Sequence, residues 1–245
     1  MGLKLSKWAL QDFVACPRRF KAIHIDKVAC EQSPEAKLGE DFHEFARSFF
    51  ARVPYRQARK LHRLHDIEEL FCELVDADGE LGLMETNFCK FEAAHFWKLK
   101  QLVPQKLKRF FYPLDLELTV ETDYMFFRVD RIDLLLNRKA CVVEYKTSTH
   151  WNLSSLRREL AFYCVGLKRL MRYKRFYRPE YIACYNPRLD RFFFEKLSKN
   201  TVRSMYSWLK KMEEAFKTGV FPRKISGLCR YCPIAKECLE EVPKW

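Results

Sequence analysis

Phe127-Arg128-Val129-Asp130-Arg131-Ile132-Asp133, followed at a short distance by Val142-Val143-Glu144-Tyr145-Lys146-Thr147, is the stretch whose reading decides the fold. Strands are expected over 124–136 and 140–146, joined at Asn137-Arg138-Lys139. Side chains alternate along a strand, so Glu144 and Lys146 project from one face while Val143 and Tyr145 project from the other. A hairpin closed with Leu136 opposite Ala140 sets Asp130 opposite Lys146 and diagonal to Glu144, on the same face. Two carboxylates and a lysine then converge on one patch of the sheet.

That set meets the needs of phosphodiester hydrolysis with a hard divalent cation. Carboxylate oxygens hold Mg²⁺ or Mn²⁺ and leave positions for water and a phosphate oxygen. The metal polarises the phosphate and lowers the pKa of its water, and a nearby lysine orients the attacking water and offsets developing charge. An E-x-K can equally be a solvated pair on a strand face. Here it ends an apolar strand and follows an acidic hairpin partner.

Outward from this hairpin, Leu114, Leu116, Leu118 and Val120 recur every second residue and predict a half-buried strand. Upstream the pattern is helical. Ser6 reads as an N-cap ahead of a helix over Lys7–Ala15. Ser33-Pro34-Glu35 is an N-cap, a proline at the first helical position and an acid in the first turn. Leu38, Phe42, Phe45 and Phe49 then form one buried stripe. Further helices are expected over about 56–75 and 85–110. Downstream, a helix is expected from about Ser154 to Arg172, short strands near 180–185 and 191–197, and a last helix from Ser198 to near Gly219. The expected fold class is α/β, a mixed sheet flanked by helices with a helical N-terminal half.

The 245 residues carry 45 basic against 32 acidic side chains, a net charge of +13. Such an excess favours a polyanion, nucleic acid before an anionic membrane surface. Basic residues gather at Lys106/Lys108/Arg109, at Arg157/Arg158 and from Lys168 to Arg175, and aromatic side chains offer stacking partners for single strands. No signal-peptide core and no membrane-spanning window is present, so the expected location is the cytoplasm, with no membrane partner. Few glycines, no low-complexity stretch and no repeat point to a single domain over 1–245. It would comprise a helical insertion at about 50–112, a core at about 113–197, and a C-terminal helix with a cysteine knuckle at 198–245.

The 10 cysteines are too many to ignore in a chain without a secretion signal, where metal or cluster ligation outranks disulfides. Cys229-x-x-Cys232 followed by Cys238 makes a compact knuckle of three thiolates that lacks a fourth ligand, and Cys16 before Pro17 could supply it. Zinc and an iron–sulfur cluster both suit four thiolates. The other six (Cys30, Cys72, Cys89, Cys141, Cys164, Cys184) read as small buried apolar residues.

At these residues the chain resembles the PD-(D/E)XK nuclease superfamily, in its RecB-like branch. Asp130 falls where that branch places a metal-binding aspartate in G-x-x-D, with Phe127 in place of the glycine, and Glu144-Tyr145-Lys146 matches its E-x-K. Leu38-Gly39-Glu40-Asp41-Phe42-His43 resembles the branch's helical histidine motif, which implies His43 as a further metal ligand. The family's Q-x-x-x-Y keeps its spacing here as Glu159 and Tyr163; Glu159 could ligate metal or bond the lysine. The knuckle with Cys16 resembles the iron–sulfur members, the AddB nuclease domain and the CRISPR-associated exonucleases of Cas-four type. That resemblance implies a restriction-endonuclease-like core whose two ends are joined by a 4Fe–4S clasp on Cys16, Cys229, Cys232 and Cys238, with zinc the alternative occupant.

The implied activity is that of a Mg²⁺- or Mn²⁺-dependent deoxyribonuclease, an exonuclease or end-processing enzyme on single-stranded or free-ended DNA. Its catalytic set would be His43, Asp130, Glu144, Lys146, Glu159 and Tyr163, with His43, Asp130 and Glu144 on the metal. CRISPR spacer acquisition or DNA repair is the implied setting, with integration or recombination proteins as partners. A non-catalytic nucleic-acid-binding relic of the same fold is the alternative, and the glutamate at 159 is the one feature in its favour.

Overall fold

A computed structural model describes residues 4–29, 34–122, 125–168 and 178–240. The chain divides into two compact units. One comprises Ser33–Val120 and Arg128–Leu197, the other Met1–Gln32, Glu121–Phe127 and Ser198–Trp245.

The larger unit is built on a five-stranded sheet of order β1-β2-β3-β4-β5. The strands are β1 (Asp115–Glu121), β2 (Phe126–Leu134), β3 (Ala140–Tyr145), β4 (Pro179–Asn186) and β5 (Arg191–Lys196). β2 and β3 are antiparallel, β3 and β4 parallel, β4 and β5 antiparallel. Every residue of β3 is buried, as a strand covered on both faces must be. The mixed sheet flanked by helices is a restriction-endonuclease-like α/β fold.

The helices of this unit are α3 (Pro34–Arg52), α4 (Tyr55–Ala58), α5 (Leu64–Cys72), α6 (Gly79–Leu102), α7 (Leu107–Phe111) and α8 (Leu153–Leu167). Phe42, Phe45 and Phe49 of α3 pack with Phe88 and Phe96 of α6, Phe71 and Phe111. Val143, Tyr145, Ala183 and Tyr185 from one face of the sheet join the same core. Each buried phenylalanine contributes roughly 1.5–3 kcal/mol relative to exposure, so this cluster fixes the rotation of α3 about its axis. The helix α8 connects the parallel strands β3 and β4, and its N-cap Asn152 accepts from the Ser155 amide.

Three sequence expectations need correction. The helix expected over 56–75 is two, α4 and α5, because Leu61 turns toward the core and its carbonyl accepts from Lys100 instead of continuing a helical ladder. The helix expected over 85–110 runs from Gly79 to Leu102 and breaks at Pro104, with Val103 at φ −143° and ψ 55°, since the residue before a proline avoids the α region. The hairpin register is slipped: Leu134, not Leu136, stands opposite Ala140. The turn takes Leu136-Asn137-Arg138 as its three loop residues, with Leu135 N–H donating to the Lys139 carbonyl at 2.9 Å. Arg138 adopts φ +62°, the left-handed residue that closes a three-residue hairpin, and Asn137 Oδ1 accepts from the Lys139 amide. Continued by one step, this register sets Asp130 directly opposite Glu144 rather than Lys146. The predicted extension of α8 to Arg172, the start of β2 at Tyr124, the cap Ser33 and Cys30 lie outside the described residues.

The smaller unit contains α1 (Lys7–Ala15), α2 (Pro17–Phe20), a π-helical turn over Lys21–Ile25, α9 (Lys199–Thr218) and α10 (Ala235–Glu240). Ser6 caps α1 and Ser198 caps α9, each by accepting a backbone N–H, and Gly219 ends α9 at φ +69°. Phe20 is its aromatic centre, packed edge-on to Phe13 and Phe216 and stacked with Phe221 and His24.

Candidate active site

Packing of the α3 phenylalanines leaves His43 at the edge of the core, half-buried. One turn earlier on the same face, Gly39 lies so close to the segment after β3 that a Cβ there would meet Thr147 Oγ1 at 3.0 Å. Glycine inside a helix costs about 1 kcal/mol relative to alanine; here it permits the close approach that carries His43 to the end of β3. Across from it, Asp130 is buried, and its Oδ2 accepts from the Tyr145 amide at 2.8 Å. His43 Nδ1 lies 3.5 Å from Asp130 Oδ1.

The structure adds a residue that the sequence does not mark. Glu117 of β1 brings its Oε1 to 3.8 Å from His43 Nδ1. Ligand atoms of His43, Glu117 and Asp130 all lie within 4.8 Å of one another. In the sequence Glu117 sits between Leu116 and Leu118 and marks only the polar face of β1; nothing there distinguishes it from Asp115 or Thr119. Its prominence comes from a backbone φ of +49°, which alternation does not reveal.

The donor set suits a divalent cation. His43 Nδ1 is buried and makes no hydrogen bond, although two carboxylates face it. Burial opposes a charge on His43, yet Asp130, Glu117 and Glu144 outweigh it and raise its pKa. An imidazole and carboxylate oxygens at this spacing match Mn²⁺ or Mg²⁺ better than a soft metal.

Beside this group a half-buried lysine is clamped. Lys146 Nζ donates to Glu144 Oε1 at 2.9 Å and to Glu159 Oε1 at 2.8 Å. Burial disfavours its charge, but the flanking Glu144 and Glu159 carboxylates prevail and hold it firmly protonated. Glu159 and Tyr163 stand one turn apart on α8, and the Tyr163 hydroxyl donates to Glu159 Oε1 at 3.4 Å. Glu159 therefore meets the lysine, one of the two contacts open to it from the sequence.

The opposite face of the same strands carries a closed polar network. Arg131 donates to Glu92, to Asp133 Oδ1 at 2.7 Å and to the Tyr145 hydroxyl at 3.2 Å, and lies over the Phe50 ring at 4.7 Å. Arg131 and Glu92 are both fully buried. Beyond Lys146, buried Asn186 donates to the Ser148 carbonyl at 2.7 Å and steadies the segment that follows β3. Among the expected basic clusters, Lys106, Lys108 and Arg109 are exposed. Arg157 is engaged by Glu195 in a two-pronged ion pair, and 169–175 lie outside the described residues.

In the smaller unit Cys16, Cys229, Cys232 and Cys238 line one cavity of about 30 Å³. Cys16 is at once the C-cap of α1 and the N-cap of α2, where Pro17 starts the helix. The Lys224 amide donates to Cys16 Sγ at 3.3 Å across 208 positions of sequence, and the Ser226 amide to Cys229 Sγ at 3.4 Å. Arg18, Arg19, Arg223 and Lys224 line the same cavity. Backbone donors and cations around four thiols suit a thiolate-bound centre, which carries negative charge.

A restriction-endonuclease-like sheet bearing hard-cation donors and a lysine defines a nuclease class of fold. The chain belongs to the PD-(D/E)XK nuclease superfamily, whose family model matches residues 4–239. That membership implies a nucleic-acid substrate and Mg²⁺ or Mn²⁺ as cofactor. Among solved structures the chain is similar to the crystal structure of SSO0001, at 12% identity and a TM-score of 0.38, over 99% of this chain and 87% of that one. No curated protein matches the sequence. Among the described residues, no helix is long and apolar enough to cross a membrane.

Proposed function

We propose that this chain is a metal-dependent deoxyribonuclease that hydrolyses phosphodiester bonds in single-stranded or free-ended DNA. The observation that carries the reading is Lys146, half-buried and clamped between Glu144 and Glu159 at the end of the strand beside the His43 and Asp130 donors. Paired with two carboxylates that favour its charged form, Lys146 is a poor acceptor for the proton of the attacking water. It can orient that water and offset the charge that develops on the phosphate. Glu159 fixes the ammonium group in place, and Tyr163 fixes Glu159. His43, Asp130 and Glu144 are the proposed metal ligands; when bound, Mg²⁺ or Mn²⁺ supplies Lewis-acid activation of the phosphate and of water.

The finer reading is a RecB-like nuclease in which the whole chain acts as one domain, since the family model spans both units. The shared cavity of Cys16, Cys229, Cys232 and Cys238 supports a 4Fe–4S cluster that joins the two chain ends, with zinc as the competing occupant. The setting we infer is cytoplasmic DNA processing, in spacer acquisition or repair, with integration or recombination proteins as partners.

One assay tests the central claim. Linear and circular DNA, single- and double-stranded, is incubated with Mn²⁺, Mg²⁺ or EDTA. Degradation should require metal, and Lys146→Ala should slow it by about 10²–10³-fold, the usual cost of removing one preorganised electrostatic group. Normal cutting by that variant would exclude Asp130, Glu144 and Lys146 as the site.

A further inference from the structure

Glu117 occupies a conformation that glutamate ordinarily avoids. Within β1 its φ is +49°, in the left-handed region where a Cβ crowds the backbone. The kink lets its carboxylate connect two unlike environments. Oε1 faces half-buried His43 at 3.8 Å, while Oε2 pairs with Arg128 Nε at 2.7 Å. The Glu117 side chain is 14% exposed and the Arg128 side chain 62% exposed. Arg128 precedes Asp130 by two on β2, so the two share a face of the sheet.

We infer that Glu117 is a further ligand of the divalent cation, and that Arg128 is a stand-in cation which neutralises it until the metal arrives and then engages a phosphate of the DNA strand. The inference rests on the metal site proposed above. Glu117 and Asp130 crowd the space around His43, and two carboxylates so close need a compensating positive charge. Arg128 supplies it from the solvent side. A divalent ion among these ligands makes that guanidinium redundant and repels it. Its exposed fork is then free for an anion, and a phosphodiester is the planar-recognised anion that guanidinium fits bidentately.

Opposite effects of one substitution provide the test. Mn²⁺ is titrated calorimetrically into DNA-free protein, and a fluorescent single-stranded oligonucleotide is bound in EDTA and in Ca²⁺ across a salt series. Arg128→Ala should tighten Mn²⁺ by about two- to fivefold, the equilibrium equivalent of an exposed ion pair. The same variant should weaken DNA in Ca²⁺ and lower the salt slope by about one phosphate contact. Glu117→Gln should weaken Mn²⁺ at least about tenfold without weakening DNA binding in EDTA. Glu117→Gly should likewise lose Mn²⁺ affinity while the metal-free Tm stays level or rises by about 2–4 °C, because glycine relieves the left-handed strain. If Arg128→Ala and Glu117→Gln merely lower Tm and leave both affinities unchanged, the pair is structural and the inference is overturned. Asp130→Asn separates the two levels: Mn²⁺ binding that survives it places the ion elsewhere and overturns the underlying site as well.

Discussion

Replacing Glu92 by glutamine probes the polar layer beneath the site without opening a cavity. Glu92 is fully buried, its carboxylate accepts from Arg131, and His95 Nδ1 lies 3.5 Å from its Oε2. Removing one partner of a buried ion pair costs about 3–5 kcal/mol, because the other charge stays desolvated. Here Arg131 keeps Asp133 at 2.7 Å and the Tyr145 hydroxyl at 3.2 Å, which places Glu92→Gln at the low end, about 3 kcal/mol. For a chain of this size that is about 6–12 °C in Tm. The pH dependence gives a second reading. Burial would raise the Glu92 pKa, but Arg131 and His95 outweigh it and hold it below its ordinary 4.5. A depressed carboxylate stabilises the fold fully above its unfolded pKa and loses that contribution as pH falls through the lower folded value. The gap between wild type and Glu92→Gln should therefore be present at neutral pH and close as the solution is taken below pH 4.5, through the lowered Glu92 value. Urea melts at a series of pH values measure it. A gap below about 1 kcal/mol at neutral pH, or one that widens in acid, would refute the argument. The double variant Glu92→Leu/Arg131→Met, which leaves no buried cation, should cost less than either single change.

Gly39→Ala tests the close approach of α3 to Thr147. Stability should change by less than about 1 kcal/mol, since helix propensity gained offsets the crowding at Thr147 Oγ1. Nuclease turnover should fall by about three- to tenfold as the segment after Lys146 shifts by tenths of an ångström; unchanged turnover would separate Gly39 from the site. Cys229→Ser tests the chain-end cavity. Protein purified without oxygen should lose a broad visible absorbance and melt at lower temperature, whereas colourless wild-type protein with stoichiometric zinc would overturn the cluster.

What was legible in the sequence was what local chemistry decides. The cap at Ser6, the helix start after Ser198 and the stop at Gly219 depend on a few neighbouring residues, and each stands where it was expected. The face shared by Asp130 and Glu144 followed from strand parity, which survives a slip of two residues. Their pairing did not, because the register turns on the left-handed conformation that the loop residue Arg138 adopts. The break at Pro104 is a local effect of the proline on the residue before it. The break between α4 and α5 was not readable, because it depends on Lys100 reaching the Leu61 carbonyl from 39 residues away. Glu117 and the choice of Glu159 for Lys146 are likewise matters of tertiary geometry.

The alternation that hid the register explains how the site is held. Along β2, Asp130 and Arg131 point to opposite faces, and along β3 Glu144 and Tyr145 do the same. Arg131 and Tyr145 are joined to each other and to Glu92 and Asp133 in a buried network whose partners come from α6 and β2. Asp130 is in turn tied to the backbone of Tyr145. Asp130 and Glu144 are thus each neighbour in the chain to a residue whose own position is over-determined on the other face. A rigid polar layer on one side permits like charges to be crowded on the other, because the strands cannot separate to relieve the repulsion. That leaves the relief to whatever positive charge can enter: Lys146 from within the fold, Arg128 from the surface, and a divalent cation from solution.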